Sequence, residues 1–167
     1  MEILENGNEQ RYYERLAYAW QRGQAERTGQ PVSGGRDFRM YSFKRGHEEL
    51  PRVKKVLGFL RAVQPESLLD VGSGRGVFLF PFLEAFPWVE VTSVDLLAHR
   101  VEFLQDLSRG GITNLRAEQR DICLQPFPEK SFDVVTVLEV LEHIPDVEKA
   151  VFAAVRMARR FRPSEFP

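Results

Sequence analysis

The stretch from Ser67 to Val77 constrains the fold of this chain more than any other part of it. It reads Ser-Leu-Leu-Asp-Val-Gly-Ser-Gly-Arg-Gly-Val, a short apolar run followed by three glycines at alternate positions, Gly72, Gly74 and Gly76. An apolar segment that we predict to be a helix follows, from Gly76 to Phe86. A strand, a glycine turn and a helix in this order bring backbone N–H groups against a ligand in open α/β sheets. The stretch therefore predicts an α/β fold with a ligand site at the turn.

Hydrophobic periodicity predicts further elements in the order that such a fold requires. We predict helices at 8–28, 49–63, 98–108 and 145–160, and strands at 67–71, 89–94, 114–118 and 132–138. The resulting alternation predicts a mostly parallel sheet with right-handed crossovers.

Residues 1–48 differ from the rest of the chain, which leads us to divide it into two parts. After the helix predicted at 8–28 comes a loop rich in proline, serine and glycine, and then a basic segment that carries Phe38, Met40, Tyr41 and Phe43. These aromatic residues fit either a helical arm packed across the edge of the sheet or a lid over the ligand. We therefore expect an N-terminal arm or lid at 1–48 and a ligand-binding domain at 49–167.

Composition narrows the classes of protein to which the chain can belong. It has 167 residues, 43% of them hydrophobic, and a formal net charge of −1. This suits one domain with a real core, and it provides no overall field to recruit nucleic acid or a membrane. We find no apolar run long enough to span a membrane and no secretory signal. The single cysteine, Cys123, excludes an internal disulfide. We expect a cytoplasmic protein.

The spacing around the glycine turn distinguishes among ligand classes. A phosphate-binding P-loop needs a lysine that this stretch lacks, and in the nicotinamide dinucleotide pattern the third glycine would stand where Val77 stands. Asp70 would bring a negative charge towards a pyrophosphate, whereas it suits a cationic ligand. Asp95, at the end of the second strand, is placed to accept hydrogen bonds from both hydroxyls of a ribose. Together these features predict a nucleoside that carries a cationic group.

Four ordered segments resemble the class I S-adenosylmethionine-dependent methyltransferases: Leu68–Gly76, Val91–Asp95, Arg120–Ile122 and Phe132–Pro145. The chain is similar to the small-molecule enzymes of ubiquinone and menaquinone biosynthesis, and this resemblance implies a Rossmann-like three-layer sandwich with S-adenosyl-L-methionine as cofactor. The family's sheet normally has seven strands, so we expect a sheet truncated after the fourth. The fourth strand would then expose an apolar edge, which a homodimer could cover.

The resemblance also implies a role for each motif residue. The methionine end of the cofactor would be lined by Asp70, Gly72, Ser73, Gly74, Gly76 and Leu138, and the ribose and adenine would be held by Asp95, Leu96, Asp121 and Ile122. Asp121 has a second interpretation, in which it caps a turn. Glu139 and His143 are the candidate catalytic residues.

Glu139, Glu142 and His143 stand at positions i, i+3 and i+4 and would share one face of a helical turn. Such a cluster could bind Mg²⁺ or a transition metal for a metal-assisted O-methyltransferase. Alternatively, His143 acts as a general base. A third interpretation is that Glu142 and His143 only orient the turn. The identity of any metal stays open.

The leading interpretation is an enzyme that transfers a methyl group to a small-molecule acceptor. A nucleic-acid substrate would need a basic and aromatic platform that we do not find. The alternatives are a non-catalytic cofactor-binding or assembly domain and a nicotinamide oxidoreductase, which the glycine spacing disfavours.

Overall fold

A computed structural model describes residues 2–30 and 50–159, with side chains at 12–30 and 50–159. The aromatic segment from Phe38 to Phe43, to which the sequence gives a lid or an arm, lies outside the described residues. The division into 1–48 and 49–167 therefore stays a prediction.

Five helices and four strands alternate along the described residues: α1 (Glu2–Thr28), α2 (Pro51–Val63), β1 (Ser67–Val71), α3 (Leu79–Ala85), β2 (Glu90–Asp95), α4 (Ala98–Arg109), β3 (Leu115–Gln119), β4 (Val134–Thr136) and α5 (Val147–Met157). A short 3₁₀ turn, Leu141–His143, precedes α5. All strand pairs are parallel and their order is β3-β2-β1-β4. This arrangement confirms the predicted α/β sandwich with a parallel sheet.

Helices cover both faces of the sheet. Alternate residues point to opposite sides, so that Leu68 packs with side chains of α1, α2, α3 and α4, whereas Leu69 and Val71 pack with Ala150 and Met157 of α5. All five side chains are buried. The strands are thus sandwiched between two apolar layers, as parallel sheets require.

Helix α1 packs against α4 rather than standing apart from the domain. A Cβ on Gly23 would lie 1.8 Å from the carbonyl oxygen of Asp106, so the two helices touch backbone to backbone at this glycine. The buried Asp106 carboxylate accepts hydrogen bonds from Arg27 of α1 and Arg109 of α4. Leu16 of α1 is fully buried in the core shared with the sheet. Helix α1 therefore packs closely on the rest of the described residues.

Two predicted boundaries are wrong, for local reasons. The helix predicted to begin at Gly76 begins at Leu79, because Gly76 has φ +75° and belongs to the turn. Pro81 consequently falls in the first turn of α3, where no helix N–H is needed. Strand β4 is three residues long instead of seven. It can pair only along β1, which spans five residues, and the register pairs Val134 with Leu68 and Thr136 with Asp70.

The last helix is also shorter than predicted. Asp146 caps it by accepting a hydrogen bond of 3.0 Å from the Lys149 N–H, and Ala158 is already extended. Ala158 forms a parallel bridge with Phe132, so the beginning of the outer edge of β4 is covered by the chain itself. The expectation that this whole edge is open is wrong at its first residues.

Candidate functional site

The glycine turn lies at the carboxyl end of β1 and needs glycine at each of its three positions. Gly72, Gly74 and Gly76 have φ values of +70°, +56° and +75°, a region that disfavours any Cβ. A Cβ on Gly72 would also lie 2.4 Å from a methyl carbon of Val140, and one on Gly76 would lie 2.3 Å from the ring of Phe80. A Cβ on Gly74 would meet nothing closer than 3.8 Å. Gly74 therefore borders open space that a ligand can fill.

This space is a cleft of about 170 Å³ that is partly open to solvent, and its walls come from α2, the glycine turn and the residues after β4. The cleft is lined by Arg52, Val53, Val56, Asp70, Gly72, Ser73, Gly74, Arg75, Val77, Phe78, Leu138 and Glu139. Of the residues predicted to hold the methionine end of the cofactor, all but Gly76 line the cleft. Gly76 lies in the same turn and packs against the Phe80 ring instead.

Asp70 lies buried at the floor of the cleft, within a network of hydroxyl groups. Its carboxylate accepts hydrogen bonds of 2.7 Å from Ser73 Oγ and 2.8 Å from Thr136 Oγ1, and Ser73 also bonds to Ser93 of β2. Burial raises the pKa of the Asp70 carboxyl; the two hydroxyl hydrogen bonds oppose this rise, and nearby Asp95 adds to it. A buried carboxylate whose charge is only partly compensated favours a cationic ligand above it.

Asp95 ends β2 directly beside the glycine turn, since the register pairs Val94 with Val71. Its carboxylate is 7% exposed, accepts a hydrogen bond of 2.9 Å from the Leu97 N–H and lies 3.4 Å from the Arg100 guanidinium. Leu96, which was predicted to contact adenine, is 60% exposed and so has an apolar side chain available to a ligand. The pair can offer a carboxylate and an apolar surface at the same strand end.

Asp121 and Ile122 follow β3, on the far side of β2. Asp121 Oδ1 accepts a hydrogen bond of 2.7 Å from the Cys123 N–H, as the turn-capping interpretation expects. The Ile122 side chain is buried in the core, so only its backbone can reach a ligand. Because the strand order is β3-β2-β1-β4, the four motifs lie side by side along one edge, as ligand sites of open α/β sheets do.

Glu139, one of the two candidate catalytic residues, stands at the rim of the cleft in an unusual backbone conformation. Its φ is +54°, which costs a non-glycine residue on the order of 1–3 kcal/mol and is found most often at functional sites. Its carboxylate forms an ion pair with the Arg52 Nε at 2.6 Å. Both side chains are more than half exposed, so the pair contributes little to stability and can open.

His143, the other candidate catalytic residue, is not brought to the cleft. The segment from Leu141 to His143 forms a 3₁₀ turn instead of the α-helical turn assumed for the cluster, and the side chains of Glu142 and His143 are exposed outside the lining. Within residues 12–30 and 50–159, no group of three or more His, Cys, Asp or Glu side chains is arranged to hold a metal ion. The structure therefore does not assemble the predicted three-residue cluster as a metal site.

Arg52 lines the cleft, and sequence reasoning missed it. Helix α2 leads directly into β1, and a helix that packs on a parallel sheet runs opposite to the strand that follows it. Its first turn, with Arg52 and Val53, consequently lies at the carboxyl edge with the glycine turn. A basic residue in the first turn of that helix was therefore a usable signal.

Comparison with known proteins finds relatives of the part of the chain that contains the sheet. Residues 69–160 match the family described as methyltransferase domain. The chain is 31% identical over 119 residues to the ubiquinone biosynthesis O-methyltransferase of Pseudomonas putida, which covers 70% of this chain and 50% of that protein. It is 40% identical over 80 residues to the ribosomal RNA small subunit methyltransferase G of Limosilactobacillus reuteri, which covers 44% of this chain and 33% of that protein.

A solved structure, that of the YcgJ protein of Bacillus subtilis, superposes with a TM-score of 0.55 at 28% sequence identity, over 65% of this chain and 46% of that one. The chain thus spans half or less of the length of these relatives. Among the residues that the structure describes, no helix is both long enough and apolar enough to cross a membrane.

Proposed function

This chain belongs to the methyltransferase domain family, and on that premise we propose that it transfers a methyl group from S-adenosyl-L-methionine to a small-molecule acceptor. The observation that carries the proposal is the cleft at the glycine turn. Gly74 leaves room for a ligand at the turn, the buried Asp70 lines the same cleft, and the buried Asp95 stands at the next strand end.

The side chains present fit this cofactor. Gly74 leaves the space above the turn open, and Asp70 provides negative charge for the cationic end of the cofactor. The guanidinium of Arg52 suits a carboxylate, such as that of a methionine group. Asp95 would accept hydrogen bonds from ribose hydroxyls, and Leu96 with the backbone at Asp121 and Ile122 would hold the base.

The cofactor, when bound, supplies an already activated methyl group on a positively charged sulfur. The protein must then align the acceptor, exclude water and accept a proton where the acceptor loses one. Leu138 and Phe78 provide an apolar wall for the first two tasks. Glu139 lies on the same lining and is the carboxylate placed to accept the proton once Arg52 turns to the cofactor. We therefore retain Glu139 as the candidate catalytic residue and leave His143 out of the reacting group.

Two alternatives differ from this proposal in testable ways. A non-catalytic cofactor-binding domain would bind the cofactor without turnover. We test this alternative because the chain spans only half the length of the Pseudomonas putida relative. RNA is a second acceptor class, since the chain is 40% identical over 80 residues to a protein named as a ribosomal RNA methyltransferase. Transfer of radiolabelled methyl groups to a panel of phenols, quinols, amines and RNA separates these outcomes.

The variant Asp95→Asn tests the ribose assignment. The amide oxygen can still accept the Leu97 hydrogen bond, so the fold is kept, while a charged acceptor for the ribose is lost. Hydrogen bonds to charged groups contribute about 1.5–3 kcal/mol, so the Kd for S-adenosylhomocysteine should rise roughly 10- to 100-fold. Glu90→Gln, an exposed change on the same strand, is the matched control. Equal affinity of Asp95→Asn and the unchanged protein would refute the assignment.

A further inference from the structure

The cleft at the glycine turn stops short of the residues assigned to the nucleoside. Its volume is about 170 Å³, whereas sites for small-molecule ligands usually enclose roughly 300–1,000 Å³. Its lining contains Asp70 and Gly74 but not Asp95, which ends the adjacent strand β2. The carboxylate assigned to the ribose therefore lies beyond one wall of the cleft.

Arg100 of α4 reaches across the gap between Asp95 and the cleft. Its Nη1 atom lies 3.4 Å from Asp95 Oδ2 and 4.0 Å from the position that a Cβ on Gly74 would take. One guanidinium thus contacts Asp95 and also borders the space above the glycine turn. The other carboxylate oxygen, Asp95 Oδ1, accepts the hydrogen bond from the Leu97 N–H. Each oxygen of the carboxylate assigned to the ribose therefore already has a donor from the chain itself.

The contact between Arg100 and Asp95 is weak enough to be exchanged for another. Its length of 3.4 Å exceeds the roughly 2.7–2.9 Å of a strong charged hydrogen bond. The Arg100 side chain is 39% exposed, so the guanidinium can turn into water. Arg100 also stands in the first turn of α4, where the helix dipole disfavours a cation. Asp95, in contrast, is only 7% exposed and needs a hydrogen-bond donor as long as it is charged.

We propose, on the premise of the proposed function, that Arg100 takes the place of the ribose hydroxyls on Asp95 and sets the affinity of this subsite by competing with them. A nucleoside binds when Arg100 turns outward, which joins the cleft to the end of β2. The ribose hydroxyls then donate to the carboxylate in place of the guanidinium, so the buried charge keeps its donors. In the opposite arrangement Arg100 stays and donates to the ligand, and its removal would weaken binding. The two arrangements therefore predict changes of opposite sign.

Calorimetric titration of Arg100→Met with adenosine and with S-adenosylhomocysteine tests this sign. Methionine keeps an apolar side chain of similar length and removes the charge. Because a partly exposed ion pair no longer competes, the Kd of both ligands should fall about two- to fivefold. Arg116→Met, the same change at an exposed position of β3, is the matched control and should leave both Kd values unchanged. Weaker binding by Arg100→Met, or an unchanged Kd, would overturn the proposal.

A second background assigns the gain in affinity to Asp95. When Asp95→Asn is already present, Arg100→Met should bring no further gain, since the charge for which Arg100 competes is gone. An equal gain in both backgrounds would show that Arg100 only fills space, and would overturn the competition for Asp95. If neither the unchanged protein nor Arg100→Met bound S-adenosylhomocysteine, the proposed function would fall as well. Binding by both with the same Kd would overturn the role of Arg100 alone.

The salt dependence of adenosine binding provides a second measurement. Adenosine is uncharged, so salt acts mainly on the ion pair that it displaces. Raising NaCl from about 0.05 to about 0.5 M screens that pair and should tighten adenosine binding to the unchanged protein more than to Arg100→Met. The same salt response in both proteins would contradict the displacement of Arg100.

Discussion

The glycine turn allows two alanine variants that differ in a defined way. Gly74→Ala forces alanine into a φ of +56°, which costs about 1–2 kcal/mol, but the added Cβ has no neighbour closer than 3.8 Å. Gly76→Ala carries the same backbone cost, and its Cβ would lie 2.3 Å from the ring of Phe80. That ring is 1% exposed and cannot swing away, so overpacking adds about 1–3 kcal/mol.

We therefore expect Gly76→Ala to lose about 2–5 kcal/mol of unfolding free energy and Gly74→Ala only about 1–2 kcal/mol. For a domain of this size each kcal/mol lowers the Tm by about 2–4 °C, so circular dichroism melts resolve the difference. Affinity should follow a different order, because Gly74 lines the cleft and its new Cβ occupies the ligand's space. Gly74→Ala should bind S-adenosylhomocysteine at least tenfold more weakly despite being the better-folded variant.

Gly58→Ala is the matched control. Gly58 lies inside α2 with an ordinary φ and no atom within 4 Å of the new Cβ, so alanine should raise stability by roughly 0.5–1 kcal/mol and leave affinity unchanged. If Gly74→Ala lost as much stability as Gly76→Ala and still bound normally, the cleft above the turn would not be the ligand site.

Three further predictions concern the rim of the cleft, the packing of α1 and the response to acid. Arg52→Gln should weaken binding of S-adenosylhomocysteine by about tenfold, since one charged hydrogen bond is lost. It should leave the Tm unchanged, because the ion pair of Arg52 is exposed. Calorimetry measures the affinity and thermal melts measure the Tm, with Arg61→Gln as the control. Asp106→Asn should lower the free energy of unfolding in urea by about 1–3 kcal/mol, because the buried carboxylate accepts hydrogen bonds from both Arg27 and Arg109, each of which is 31% exposed. Asp133 has a lowered pKa: burial alone would raise it, but hydrogen bonds from the Glu66 N–H, Arg159 and Ser67 outweigh burial. Its stabilisation is therefore complete above about pH 4 and is lost as the pH falls further, so Asp133→Asn should flatten the acid limb of a stability–pH profile.

One outcome for each of these three variants would contradict the reason given for it. A loss of Tm in Arg52→Gln would show that the ion pair with Glu139 is structural. An unchanged urea midpoint for Asp106→Asn would show that α1 is held to α4 by the glycine contact and apolar packing without this ion pair. A profile for Asp133→Asn that falls as steeply as that of the unchanged protein would assign the acid response to other carboxylates.

The parts of the site that could be predicted from sequence are those set by local spacing. The positive φ values of Gly72, Gly74 and Gly76 follow from a strand that turns sharply into a helix. Asp95 could be placed because it ends a predicted strand. The topology then brings these positions to one edge of the sheet without further information.

The parts that could not be predicted depend on tertiary geometry. Arg52 forms an ion pair with Glu139 at the rim of the cleft, and periodicity within α2 does not report that contact. The length of β4 is set by its register with β1, which its own β-branched residues do not reveal. His143 leaves the cleft because the turn after Glu139 is 3₁₀ rather than α-helical, and a spacing of i, i+3 and i+4 cannot distinguish the two.

The central claim is that the cleft binds a nucleoside with a cationic methionine end. Titration calorimetry of the unchanged chain with S-adenosylmethionine, S-adenosylhomocysteine and NAD tests it most directly. We expect saturable one-site binding of the first two ligands and no heat of binding from NAD. Tight binding of NAD with no response to S-adenosylhomocysteine would contradict the claim.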